Sequence, residues 1–225
     1  QSSSSSLEEI NTALYSAISA GVDYQESLEA LEQAERLAIA GKADLNDTMV
    51  LLASTLNAYG EDMEEAERYS DVFFTTVKEG QTTIPELADS MSKVTGVASN
   101  TGVEIEELGA AIATLTASGQ PTSEAMTSIK QALSNILKPT AQASEAADDL
   151  GIEFNAAALE SKGFKGVLDE VYEATGGNVE QMAQLFGSTE ALNSVLVLAG
   201  SNSEKFADTL EAMDESTGSV SEAFE

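Results

Sequence analysis

The residues of this chain that could do chemistry are carboxylates. There are 39 Asp+Glu against 10 Lys+Arg, a formal charge of −29, and no His, Cys or Trp. Adjacent acids stand at Glu64/Glu65, Glu106/Glu107 and Asp148/Asp149. Such a pair could act as general acid and base in glycoside hydrolysis, which needs two carboxylates flanking a cleft at a matched separation. Sugar clefts favour aromatic platforms, and a chain this acidic produces neighbouring acids by chance, so solvated helix faces are the expected reading. Asp44-Leu-Asn-Asp47 is similar to a fragment of a calcium loop. It lacks the alternating ligands, the central Gly and the closing Glu, and helix capping explains it better. Gly176-Gly177 alone makes no phosphate loop. Lys162 and Lys165 flank Gly163 and read as decoration of a turn. Without Cys there is no thiolate metal site, disulfide or cysteine nucleophile. Without His there is no imidazole base or Ser-His-Asp triad. The expectation is no catalytic, metal or cofactor site.

The elements that would position these acids are helices. Aromatics are only 5% of the chain, and the apolar residues are mostly Ala, Leu, Val and Ile, a helix-rich palette. Glycines fall at Gly21, Gly41, Gly60, Gly80, Gly102 and Gly119, about one helix and turn apart. Each is read as a helix-ending residue in the left-handed conformation, which glycine adopts cheaply. Asp23, Asp44, Asp62, Thr83 and Thr122 follow as N-cap candidates, with Thr83-Ile-Pro-Glu86 a capping box. Apolar residues recur at helical spacing in 45–58, 104–118 and 122–137. After Pro139 a helix is expected to run to Leu150 and stop at Gly151. The stretch 151–163 reads either as two short extended pieces, a small hairpin, or as one helical turn. Helical pattern returns in 164–175, 178–186, 188–199 and 203–214. The fold expected is all-α, an array or bundle of roughly ten short antiparallel helices with tight Gly turns. Residues 1–6 read as a Ser-rich linker or cut edge, 7–150 as an N-terminal array, 151–218 as a C-terminal subdomain packed on it, and 219–225 as a frayed tail. The methionines fit core stripes, and core packing is the default for Tyr15, Tyr24, Tyr59, Tyr69, Phe73 and Phe74.

The charge argues against nucleic acid or anionic membrane as a direct partner, since each requires a basic face. No apolar run is longer than that from Val195 to Ala199, far too short to span a bilayer.

Read as strings, several stretches resemble the core region of phage tail tape measure proteins of the TP901 type, the phage-related minor tail proteins. The fullest is Gly102-Val-Glu-Ile-Glu-Glu-Leu-Gly-Ala-Ala-Ile-Ala-Thr-Leu-Thr-Ala-Ser-Gly119. It continues through Pro121-Thr-Ser-Glu-Ala125-Met-Thr127, Leu133-Ser-Asn-Ile-Leu-Lys-Pro139 and Leu150-Gly151-Ile152. Earlier stretches ending at Gly21 and running through Asn57 to Gly60 match too, as do Leu185-Phe186-Gly187 and 191–196. Ile129-Lys130 departs from the family's usual Leu-Arg.

The resemblance implies a structural role in the virion tail: templating the tail tube, setting its length, and leaving with DNA at ejection. It implies self-association, with a trimer or hexamer expected. Further implied partners are the tail tube protein, tail assembly chaperones and tail-tip proteins. It places the chain in the tail and, during assembly, in the host bacterial cytoplasm. The glycine spacing adds that a straight helix of this length, about 340 Å at ~1.5 Å per residue, is interrupted everywhere, so a compact module is expected. The alternatives are a generic acidic helical interaction domain of cellular origin and, more remotely, a cell-wall glycoside hydrolase.

Overall fold

A computed structural model describes residues 5–224; Gln1, the first three residues of the Ser tract and Glu225 lie outside the described part. Among the described residues there are fourteen α-helices and no strand. They are α1 (Leu7–Ser19), α2 (Tyr24–Gly41), α3 (Leu45–Tyr59), α4 (Ala66–Glu79), α5 (Ile84–Ser90), α6 (Thr95–Asn100) and α7 (Ile105–Ala117). The chain continues as α8 (Thr122–Leu137), α9 (Ala141–Leu150), α10 (Ala156–Thr175), α11 (Val179–Leu185), α12 (Thr189–Val195), α13 (Ser203–Asp214) and α14 (Ser219–Phe224). Single 3₁₀ turns lie at Met63–Glu65 and Met91–Lys93, and a π-turn at Leu196–Ser201. The fold is all-α as its sequence implies. The excess over ten helices comes from short pieces, chiefly where 84–100 breaks into two.

The segment 151–163 is the main correction. It is neither a hairpin nor a single turn. Gly151 closes α9 at φ 72°, Asn155 caps α10 through Ala158 N, and the helix runs from Ala156 through this stretch. The expected capping box at Thr83 is also altered. Thr83 Oγ1 accepts from Glu86 N, but the Glu86 carboxylate takes the Thr83 hydroxyl rather than its backbone N–H. Thr122 is the first residue of α8 and not its cap, and its hydroxyl bonds Thr82 Oγ1 at 2.7 Å.

Helix α7 lies at the centre. Nearly every residue from Ile105 to Thr116 is buried, as expected of a helix surrounded by others. It packs against α4, α8, α10 and α13. Its small residues permit this: a Cβ on Gly109 would stand 2.8 Å from Thr76 Oγ1 and 3.0 Å from Val72 Cγ1 of α4. One contiguous apolar cluster runs from Ala13 to Val220 and draws on residues from both sides of position 150. All six methionines are in it, with Tyr69 and Phe73; Tyr15 by contrast is 74% exposed. Tyr59, Tyr69 and Phe73 form a chain of edge-to-face rings at 6.0 and 6.3 Å.

Buried hydroxyls are mostly satisfied within their own helices. Ser70, Thr76, Thr114, Thr116 and Thr175 each bond the carbonyl four residues back. Both ends of the described chain meet on α2, where Ser5 N donates to Glu35 Oε1 and Arg36 Nη1 donates to Ser221 Oγ, each at 3.4 Å.

Candidate functional site

The expected motif residues divide between turns and core. Gly21, Gly60, Gly102, Gly119 and Gly151 all hold positive φ at helix ends. Gly21, Asn57 and Gly60 come together, lining one cleft with Glu26, Glu61 and Asp62. Ala125, Leu133 and Phe186 are fully buried, and Phe186 meets Phe154 edge to face at 5.3 Å. Thr127 lines a separate polar cleft with Glu124, Glu190 and Asn193. Leu150 packs half-buried on the core, while Pro139 lies half-buried in the link after α8 and Gly187 in open space before α12. The thirteen therefore do not converge on one centre.

The acid pairs do not form a dyad either. Asp148 and Asp149 are exposed on α9. Glu65 reaches Arg68 at 3.4 Å while Glu64 is exposed. Glu106 and Glu107 diverge. Glu106 makes a two-pronged bond with Arg68, at 2.6 Å to Nε and 2.9 Å to Nη2. That contact first, with Glu65 adding, raises the guanidinium pKa further above its ordinary value. Asp44 caps α3, accepting from Asn46 N and Asp47 N. Among the described residues no cluster of His, Cys, Asp or Glu is arranged to hold a metal. Lys162 and Lys165 lie on α10 rather than in a turn, paired with Glu153 and Glu170, and with Asp169.

What the structure does assemble is a pair of buried carboxylates on the adjoining helices α4 and α7. Each receives the backbone of a distant helix start. Helix α10 is bent at Gly163, where φ is 71° and ψ 175°. The bend leaves the next amides without a preceding turn to bond. Glu107 supplies it: Oε2 accepts from Phe164 N at 2.9 Å and Oε1 from Lys165 N at 2.7 Å. A Cβ at Gly163 would lie 2.9 Å from Oε1, so glycine is needed here both for φ and for room. Burial pushes the Glu107 carboxyl pKa up, opposed by the two amides, with Glu104 adding to the rise.

Asp71 on α4 is 1% exposed. Its Oδ2 accepts from Gly218 N at 2.7 Å, and its Oδ1 from Val220 N at 2.9 Å and Ser219 Oγ at 3.2 Å. This is an N-cap made by a side chain far away in sequence. Sequence reasoning placed Glu107 only in an adjacent pair and passed over Asp71. The available signal was an acid inside an apolar run, Tyr69-Ser-Asp71-Val-Phe-Phe74, where a charge has to find partners.

These carboxylates are acceptors held chiefly by neutral backbone amides. They join the C-terminal third to the α4–α7 pair and are architectural. The phenol of Tyr59 is pushed well above its ordinary pKa, first by burial and then by Tyr69 and the acids at the start of α7, and its hydroxyl finds no hydrogen-bond partner among the described residues. No helix among the described residues is long and apolar enough to cross a membrane.

Comparison with known proteins agrees with an architectural role. A family model described as phage-related minor tail protein matches residues 1–187. A probable tape measure protein of Clostridium phage phiCD119 is 29% identical over 96% of this chain and 24% of its own length. The tape measure protein of Pneumococcus phage Dp-1 is 26% identical over 98% of this chain and 20% of its own. A probable tape measure protein of Escherichia phage P2 is 22% identical over 83% and 24%. The chain thus spans only a fifth to a quarter of the length of these relatives. No solved structure matches it.

Proposed function

We propose a function from one premise: the chain belongs to the phage-related minor tail protein family. It is, in this reading, a compact structural module of a tail tape measure protein. The module serves assembly of the tail tube and the setting of its length, and leaves the tail when DNA is ejected. The observation that carries this is the alignment of nearly the whole chain with tape measure proteins of two phages. Its place is the virion tail, and the host cytoplasm while tails are built.

The module is a body and not the ruler. Its longest helix, α10, has 20 residues and would reach only about 30 Å if straight, at ~1.5 Å per residue. The partners we assign are other copies of the chain, as a trimer or hexamer, the tail tube protein, assembly chaperones and tail-tip proteins. The role is structural rather than catalytic, because the paired acids are exposed or committed to Arg68 and backbone amides. The charge of −29 suits a body that DNA must pass without adhering.

Light scattering after size exclusion, at low and moderate salt, tests self-association. A discrete trimer or hexamer is expected, and a monomer at every salt would overturn that part. Electron microscopy of phage carrying an in-frame deletion of this region tests the rest. Failed or aberrant tail assembly is expected; normal tails shortened in proportion to the deleted residues would make this region ruler instead.

A further inference from the structure

We infer that α14 is a releasable strap, held shut by Asp71, which opens without unfolding the body. The strap is the helix of residues Ser219–Phe224, entered through the turn at Gly218. It lies on α2 and α4. Val220 is its deeply buried apolar residue, at 2% exposure. Its polar attachments are few and specific. Asp71 takes Gly218 N, Ser219 Oγ and Val220 N, and Ser221 Oγ accepts from Arg36. Gly218 holds φ 85°, so the link from α13 turns sharply and offers a ready hinge.

The balance of forces is lopsided. Among the described side chains, Asp71 supplies most of the polar attachment and Val220 the buried apolar contact. Such a segment belongs to the low-stability end of a structure, where opening is local. When it lifts, Asp71 regains water and stops incurring the cost of burial, which eases the opening further. The neighbouring link, Ser216 and Thr217, forms one wall of a cleft that also includes Arg68, Asp71, Glu106 and Met213. Opening widens that cleft and uncovers the seat of Val220 between α2 and α4. The strap therefore gates a surface on the N-terminal third with a segment from the far end of the chain.

Amide hydrogen exchange on the 225-residue chain tests this. The amides of Val220 and Glu222 are expected to exchange at least about tenfold faster than those of α7, with no dependence on low urea concentrations. Asp71→Asn, which turns one accepting oxygen into an NH2 donor and leaves the other neutral, is expected to speed them about tenfold more and leave α7 unchanged. A chain ending at Thr217 is expected to remain folded and helical. Exchange at 220 and 222 with the urea dependence of α7 would overturn the inference, as would unfolding of the shortened chain. A dimer that disappears on shortening would also overturn it, because the strap would then be exchanged between copies.

Discussion

Replacing Glu107 by Ala removes the acceptor for two buried amides at the bend of α10. Each charge-assisted bond contributes about 1.5–3 kcal/mol, and each stranded donor costs about 1–3 kcal/mol. Against this, the buried carboxylate no longer carries its own desolvation cost, which is the leading influence on its pKa. The net expected loss is about 2–4 kcal/mol. For a chain of this size that lowers Tm by roughly 4–16 °C, at ~2–4 °C per kcal/mol. The measurement is thermal unfolding followed by circular dichroism at pH 7. Glu106→Ala serves as the comparison, since its partner Arg68 is 40% exposed and keeps Glu65 and Glu104 within reach, so no buried donor is stranded. Glu107→Gln adds a pH test. The folded pKa of Glu107 lies above its unfolded value, so its contribution is fully present below the unfolded pKa and falls as pH rises through the folded one. The deficit of Glu107→Gln relative to the unaltered chain is therefore expected to widen as pH falls toward the ordinary carboxylate range. A Tm within 2 °C of the unaltered chain for Glu107→Ala, or a deficit that narrows on acidification, would refute the reasoning.

Gly80→Ala places a Cβ 2.6 Å from Thr116 Oγ1 and 2.9 Å from Ala113 Cα, and is expected to cost about 1–3 kcal/mol in urea unfolding. Phe154→Ala removes the edge-to-face partner of Phe186 and is expected to cost about 3–5 kcal/mol by the same measurement. Raising NaCl from low to moderate concentration is expected to raise Tm, because screening relieves the self-repulsion of a −29 chain; a fall would show that specific ion pairs dominate instead.

The long periodic helices were legible in sequence. The stripe in 122–137 and the pattern in 203–214 correspond to α8 and α13 as they stand. What misled was the double use of glycine. Gly60 ends α3 at φ 72°, as a left-handed cap should. Gly41 and Gly80 do not take positive φ. A Cβ at Gly41 would meet Ile84 Cγ1 at 2.6 Å, and Lys42 takes the left-handed position instead. At these two sites glycine makes room for another helix, and spacing alone does not separate room from turn. Gly163 was hidden for the opposite reason: its bend is stabilised by Glu107, over fifty residues away, and no local pattern carries that information. The clasp at Asp71 is more distant still, with a partner 147 residues away.

The meeting of both chain ends on α2 has a mechanical meaning. Between Ser5 and Ser221 lies roughly 700 Å of extended contour, at ~3.3–3.6 Å per residue, yet the two ends are anchored on consecutive residues, Glu35 and Arg36. Drawn at its ends, the body is a closed loop of slack. Where the chain is continued on both sides, tension reaches the body through α1 and α14, both of which rest on α2. The buried hydroxyls that bond their own helices then travel with them, so separating helices strands few polar groups. A chain built this way holds a large reserve of contour between two anchors on one helix.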